Sequence, residues 1–337
     1  MPTGTRFVPR PRPARCQAPP RTRVRGINHL DHDPAPFRPA IRPLGSISLG
    51  CAIRGATGTS SRARAWSIGQ AAARLPAPIR GPLGRLAWRA YARFVAWRTR
   101  HEPEVDGGGL PIPPTRLRVL VVRGTYAGSF LSSGHAEALA IAILAHNHGS
   151  PVDEMGAILD FGCGCGRVAR HWANLEGPEI YGSDYDPELT EWCDSNIPFM
   201  RARVNGLEPP LPFDARFDLI YAISVFTHMT EELQRAWIAE FTRALTPGGL
   251  LIFTTHGRRY VGRLSRRERL AFERGRVVTR FAEAAGSNAC ATYNPEPSVA
   301  GMLSGLERLE SLTEGVPGIA SFSPLRNQDV HVARKTY

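Results

Sequence analysis

Between Asp160 and Gly166 the chain sets one acid ahead of three glycines at every second position: Asp160-Phe161-Gly162-Cys163-Gly164-Cys165-Gly166. Glycines so spaced let the backbone turn tightly and let a ligand approach it without side chains in the way. Ala157, Ile158 and Leu159 ahead of them form an apolar run suited to a buried parallel strand. Behind them, Val168, Trp172 and Leu175 share one face of an expected helix over 167–175. Strand, glycine turn and helix N-terminus make a nucleotide-type binding corner, whose exposed amides would serve a phosphate or a carboxylate. The competing reading is a glycine-rich turn with no ligand. The dinucleotide fingerprint G-x-G-x-x-G is not met, because Arg167 stands where its third glycine falls. Asp160 would repel a pyrophosphate and suits a ligand that carries an ammonium group.

Further groups follow at informative distances. Asp184 comes about 20 residues after the turn, where the second strand of such a unit delivers a carboxylate to ribose hydroxyls. Asp186 reads instead as a helix N-cap, with Pro187 at the first helical position. Two histidines, His228 and His256, fall just past the expected strands 219–222 and 250–254. A histidine there is either a general base or a packed, hydrogen-bonded side chain. Between them Thr230 caps a helix whose buried stripe is Leu233, Trp237, Phe241 and Leu245, and Pro247, Gly248 and Gly249 end it.

This order of elements resembles the class I S-adenosylmethionine-dependent methyltransferases. Asp160 to Gly166 is similar to that family's first motif, Asp184 to its ribose-binding acid, "FDLIYAISVFTH" to its fourth strand and "LTPGGLLIFTTHG" to its helix-to-fifth-strand junction. The resemblance covers roughly residues 115–337. It implies an α/β, Rossmann-like, doubly wound and mostly parallel seven-stranded sheet with an antiparallel last strand, which the alternation at Val330 and Val332 fits. It implies S-adenosyl-L-methionine as cofactor, bound through Asp160, Gly162, Gly164, Gly166 and Asp184. One departure stands out: where many members carry an adenine-binding aspartate, the nearest candidate is Asn205, whose other reading is a loop cap. The segment ahead of the first motif often lines the substrate pocket in this family. Phe130, Ser132 and Ser133 are therefore substrate candidates by resemblance, with helix capping as the alternative for the serines. For an oxygen nucleophile His228 is the expected base, ahead of His256. The implied activity is methyl transfer to a small-molecule or saccharide acceptor at a hydroxyl. A catalytically silent cofactor-binding partner subunit is one rival, and a nucleic-acid methyltransferase using the basic leader is the other. The N/D-P-P-Y/F signature of amino-directed enzymes is absent at Ala222-Ile223-Ser224-Val225, which weighs against base N-methylation.

Composition divides the chain. Residues 1–100 hold 19 arginines against Asp31 and Asp33, a balance of +17 in a chain of +12, which leaves −5 for residues 101–337. The Arg/Pro-rich leader 1–85 is expected to be disordered. High-GC coding bias, an over-extended start and an arginine-rich transit peptide all produce such a segment. Residues 86–114 read as a basic amphipathic helix (86–100) and a proline-rich linker. That helix suits a partner, its own domain or, less well, an anionic membrane surface. The domain proper, 115–337, is expected to open with a short strand at 117–122 and a helix from about Gly134. The arginine-dense stretch 258–280 reads as a lid for an acidic substrate or as a solvated face. No apolar run reaches the roughly 18 residues needed to span a membrane. The six cysteines include no C-x-x-C pair, so no metal site and a cytoplasmic location are expected.

Overall fold

The computed structural model describes residues 97, 101–122, 126–319 and 323–336. The leader 1–85 and, Trp97 excepted, the basic helix 86–100 lie outside the described residues. Apolar runs flanked by turns pair as a parallel array: Ala157–Phe161 (β1), Glu179–Asp184 (β2), Met200–Val204 (β3), Phe217–Ala222 (β4) and Leu245–Thr255 (β5). Val278–Arg280 (β6) and Ala291–Tyr293 (β7) form a separate two-stranded ribbon. Glu307–Leu312 (β8) and Asp329–Arg334 (β9) complete a seven-stranded sheet of order β3-β2-β1-β4-β5-β9-β8. β9 is antiparallel to both neighbours, so the last strand in sequence inserts inside the sheet and β8 forms the edge.

Among the described residues, the helices Thr115–Val121 (α1) and Ala127–Asn147 (α2) precede β1, and Pro187–Asn196 (α3), Glu231–Ala244 (α4), Arg266–Glu273 (α5), Glu296–Met302 (α6) and Pro324–Asn327 (α7) lie between strands. One core face unites Ile141 and Leu144 of α2 with Ile158, Leu250, Ile252 and Val330. The opposite face unites Trp237 and Phe241 of α4 with Leu159, Phe161, Leu251 and Phe253. The sheet is thus buried on both sides, as a doubly wound architecture requires. Among the described residues, one helix, α2, is long and apolar enough to cross a membrane, with 21 residues at a mean hydropathy of 1.2. Half of its apolar window is buried within the chain.

Four local expectations are overturned. The first is the end of α4, which stops at Ala244 while Leu245 and Pro247 to Gly249 belong to β5. Residues 115–121 are helical rather than extended, because Arg118 faces inward. It pairs with Glu102 and bonds Pro113 O at 3.0 Å and Thr115 Oγ1 at 2.9 Å, which completes a helical face that charge had disguised as alternation. The next helix starts at Ala127, not Gly134, because Glu102 Oε1 accepts the Ala127 amide at 2.9 Å, a cap from 25 residues away. Finally, the glycine turn leads into only a 3₁₀ turn, Ala169–Trp172. Gly166 holds a left-handed φ of 71° where a helix would begin, and Arg170 is drawn to Asp106 and to Pro111 O.

Candidate functional site

The strand order reverses between β1 and β4, the point at which doubly wound sheets open a crevice at their carboxyl ends. The glycine turn follows β1 there, and Ser224 and Val225 follow β4. Gly162, Gly164 and Gly166 all have positive φ, at 74°, 55° and 71°. A Cβ at Gly164 would stand 2.5 Å from Val121 Cγ2 of α1, and one at Gly162 would overlap Val225. Glycine is therefore required for both conformation and space. The amides of the turn are not exposed, contrary to expectation. Gly162 and Cys163 donate to Ser183 O at 2.7 and 3.0 Å, Gly164 to Asp184 Oδ2 at 2.8 Å, and Gly166 to Cys163 O at 3.0 Å. With those amides used and no α-helix N-terminus behind them, the corner offers little to an anionic pyrophosphate.

Asp184 ends β2 at that corner. One oxygen accepts from Gly164 and the other from the Asp186 amide at 2.9 Å, while each keeps lone-pair capacity for a ligand hydroxyl. Burial raises its pKa, and the amides oppose that shift. Asn205 donates its backbone N–H to Asp184 O at 3.0 Å, which brings the two candidates together. Its Nδ2 bonds Gly206 O at 2.7 Å, and its buried Oδ1 has no hydrogen-bond partner among the described residues. Asp186 caps α3 by accepting from Glu188 N. Asp160 lies under the turn, not in the crevice mouth, at 4% exposure. It touches the Tyr221 hydroxyl and the Ala169 amide, and burial raises its pKa to about 7 despite Tyr221 and Arg167.

His228 ends a 3₁₀ turn after β4, with Nδ1 hydrogen-bonded to Cys290 O at 2.8 Å. That carbonyl can only accept, so Nδ1 carries the proton and Nε2 is the basic nitrogen of the neutral ring. His228 O accepts the Gly286 amide at 2.9 Å, and Gly286 lies against Leu207 and Tyr185, on the Asp184 side of the crevice. His256 is buried instead in an aromatic group, its ring 4.2 Å from Tyr260 and 5.4 Å from Tyr293.

The substrate candidates ahead of the motif lie apart from this group. Phe130 is fully buried with Leu117, Cys165 and Leu189, where it packs α2 beneath α1 and the turn. Ser133 is buried and bonds Phe130 O at 3.0 Å, while Ser132 is on the exposed face of α2. The structure adds a polar bridge that the sequence did not disclose. Ser224, at φ 64°, donates its amide to Thr254 Oγ1 at 2.7 Å. Gln328 accepts from that Oγ1 at 2.6 Å and donates to Ser224 Oγ at 2.9 Å. A non-glycine residue held left-handed at a crevice mouth marks a site whose backbone is fixed by its surroundings. A serine after β4 was visible in sequence, but Gln328 lies 104 residues on.

Residues 158–249 match the model of a family described as a methyltransferase domain. A protein of Oryza sativa subsp. japonica described as "Probable tocopherol O-methyltransferase, chloroplastic" is 29% identical over 108 residues, 29% of this chain. The match spans only 28% of that relative's length. Among solved structures, the N-methyltransferase NodS from Bradyrhizobium japonicum WM9 is 15% identical at a TM-score of 0.41, with 62% of this chain and 98% of that one covered. An amino pentose methyltransferase from Micromonospora echinaspora, solved with S-adenosylmethionine bound, is 18% identical at a TM-score of 0.43, with 60% and 92% covered.

Proposed function

We infer that this chain, which belongs to the class I S-adenosylmethionine-dependent methyltransferases, transfers a methyl group to a hydroxyl of a small-molecule or saccharide acceptor. The observation that carries the reading is the convergence of the glycine turn, Asp184 and Asn205 at the β1/β4 switch point, with Asn205 Oδ1 still unpartnered. These residues fit S-adenosyl-L-methionine: Asp184 would take the ribose hydroxyls and Asn205 Oδ1 the adenine amino group, with Gly162 and Gly164 keeping side chains out of its way. Asp160 supports the turn from beneath. When bound, the cofactor supplies an electrophilic methyl group on a sulfonium sulfur. The chain's own work is then to hold acceptor and cofactor in line and to exclude water. His228 takes the hydroxyl proton on Nε2, and the Cys290 carbonyl fixes the tautomer that makes this possible. The described cysteines are unpaired and buried, which suits the cytoplasmic location included in this reading.

The test is label transfer from S-adenosylmethionine into a metabolite extract, with products read by mass spectrometry. S-adenosylhomocysteine should bind and raise the melting temperature, and NAD should not. His228→Ala should lower kcat by about 10²–10⁴ with unchanged affinity for S-adenosylhomocysteine. His256→Ala should instead lower stability and keep the rate per folded molecule. Full activity in His228→Ala would exclude it as the base.

A further inference from the structure

Asp329 opens β9 at the carboxyl edge of the sheet, opposite Thr255 of β5. It is 6% exposed, and its Oδ1 is enclosed without a hydrogen-bond partner among the described residues. Glu137 is answered by Arg167 and Ser323, and Asp160, whose Oδ2 also lacks a hydrogen-bond partner among the described residues, is touched by Tyr221. Asp329 faces a second acid instead, Glu314 of the turn after β8. Burial and that neighbour push its carboxyl up to about 7. Its place is made by Gly257, since a Cβ there would overlap the carboxylate. Gly257 has a φ of −96°, so space and not conformation demands glycine.

The carboxylate lies between the polar bridge of the candidate site and a packed aromatic group. On one side its neighbour Gln328 holds Ser224, the residue before Val225, which lies against Gly162. On the other, Gly257 follows His256 and its tyrosine neighbours, Tyr260 and Tyr293. A buried carboxylate beside a second acid repels anions and favours a cation that donates hydrogen bonds.

We propose that Asp329 binds a protonated amino group of the methyl acceptor in the mouth between β5 and β9, so that the acceptor is an amino alcohol or amino saccharide. The amine docks the molecule and the hydroxyl takes the methyl group. This rests on the methyl-transfer reading above and narrows its substrate class.

The test uses the full chain loaded with S-adenosylhomocysteine, titrated calorimetrically with glucosamine and ethanolamine and with their amine-free counterparts, glucose and ethylene glycol. An amine should bind roughly ten- to a hundredfold more tightly than its counterpart, the range for a charge-assisted hydrogen bond. Asp329→Asn should abolish that preference and leave S-adenosylhomocysteine affinity unchanged. Gly257→Ala, whose Cβ displaces the carboxylate, should do the same and serves as the second variant. Equal binding of amine and counterpart, no binding of either amine, or a preference that survives both variants overturns the proposal. A labelled methyl group found on the amine nitrogen also overturns it. Failure to bind S-adenosylhomocysteine refutes the methyltransferase reading by itself, and the amine preference is then read on the unloaded chain.

Discussion

At the scale of single residues, Asp184 and Asn205 divide one task in different ways. Asp184 is already structural, because its two oxygens hold the amides of Gly164 and Asp186. Asp184→Ala should therefore weaken S-adenosylhomocysteine binding roughly ten- to a hundredfold and also lower stability by about 1–3 kcal/mol, since two amides lose their acceptor. Asn205 Oδ1 serves nothing within the described residues, so Asn205→Ala should cost only about two- to tenfold in affinity and leave the melting temperature of the free protein close to wild type. Calorimetry and thermal melts on the two variants separate these outcomes; equal stability loss in both would mean that Asn205 is a loop cap. Asp184 was legible because motif spacing delivers an acid to that strand end. Its grip on the turn was not, since a spacing says where a carboxylate arrives and not which amides it finds. His228 shows the same limit, because the carbonyl that fixes its tautomer belongs to residue 290.

Among the elements, β1, β4, the apolar part of β5 and the start of α4 were readable because each satisfies its own needs locally, through apolar runs and a Thr230 cap. The expected glycine stop was misplaced, since α4 ends at Ala244 and Pro247 to Gly249 lie inside β5. The misread elements are those whose needs are met from elsewhere. α1 and α2 both lean on Glu102, which pairs with Arg118 and caps Ala127, and no window around either helix contains it. The glycine turn likewise depends on α1 lying over it, with Val121 against Gly164. This contact makes a prediction about the element pair. Gly164→Ala should destabilise the fold through a left-handed φ, which costs roughly 1–2 kcal/mol for a side-chain-bearing residue, and through overlap with Val121. Adding Val121→Ala should relieve the overlap alone, giving a favourable coupling of about 0.5–3 kcal/mol in a double-mutant cycle measured by denaturant melts. Strict additivity would show that α1 does not rest on the turn in solution.

On the scale of the whole molecule, four titrating groups with large shifts, three of them buried and His171 half-buried, dominate how stability responds to pH. Asp184 acts in the same sense as the raised acids among them. Burial raises Asp160 and Asp329 to about 7, while it lowers His171 to about 4 and His331 to about 3. The raised acids contribute stability that is fully present below the unfolded carboxyl value near 3.9 and lost as pH rises through about 7. The lowered histidines act oppositely: stability is present above the unfolded value near 6.5 and lost as pH falls through 4 and then 3. Between pH 4 and 6.5 the folded chain holds extra protons on two acids and lacks them on two histidines, so the slopes offset. The melting temperature should therefore be nearly flat in that window, decline as pH passes 7, and fall below pH 4. Glu268 adds to the acid-side loss, because Arg280 holds it down at about 2. Each variant unbalances the window by one proton, worth about 1.4 kcal/mol per pH unit. Asp329→Asn should turn the flat stretch into a rise with pH, and His331→Gln should turn it into a fall. Calorimetric melts from pH 4 to 8 decide the matter: identical slopes in wild type and both variants would mean that these groups titrate alike in the folded and unfolded chain.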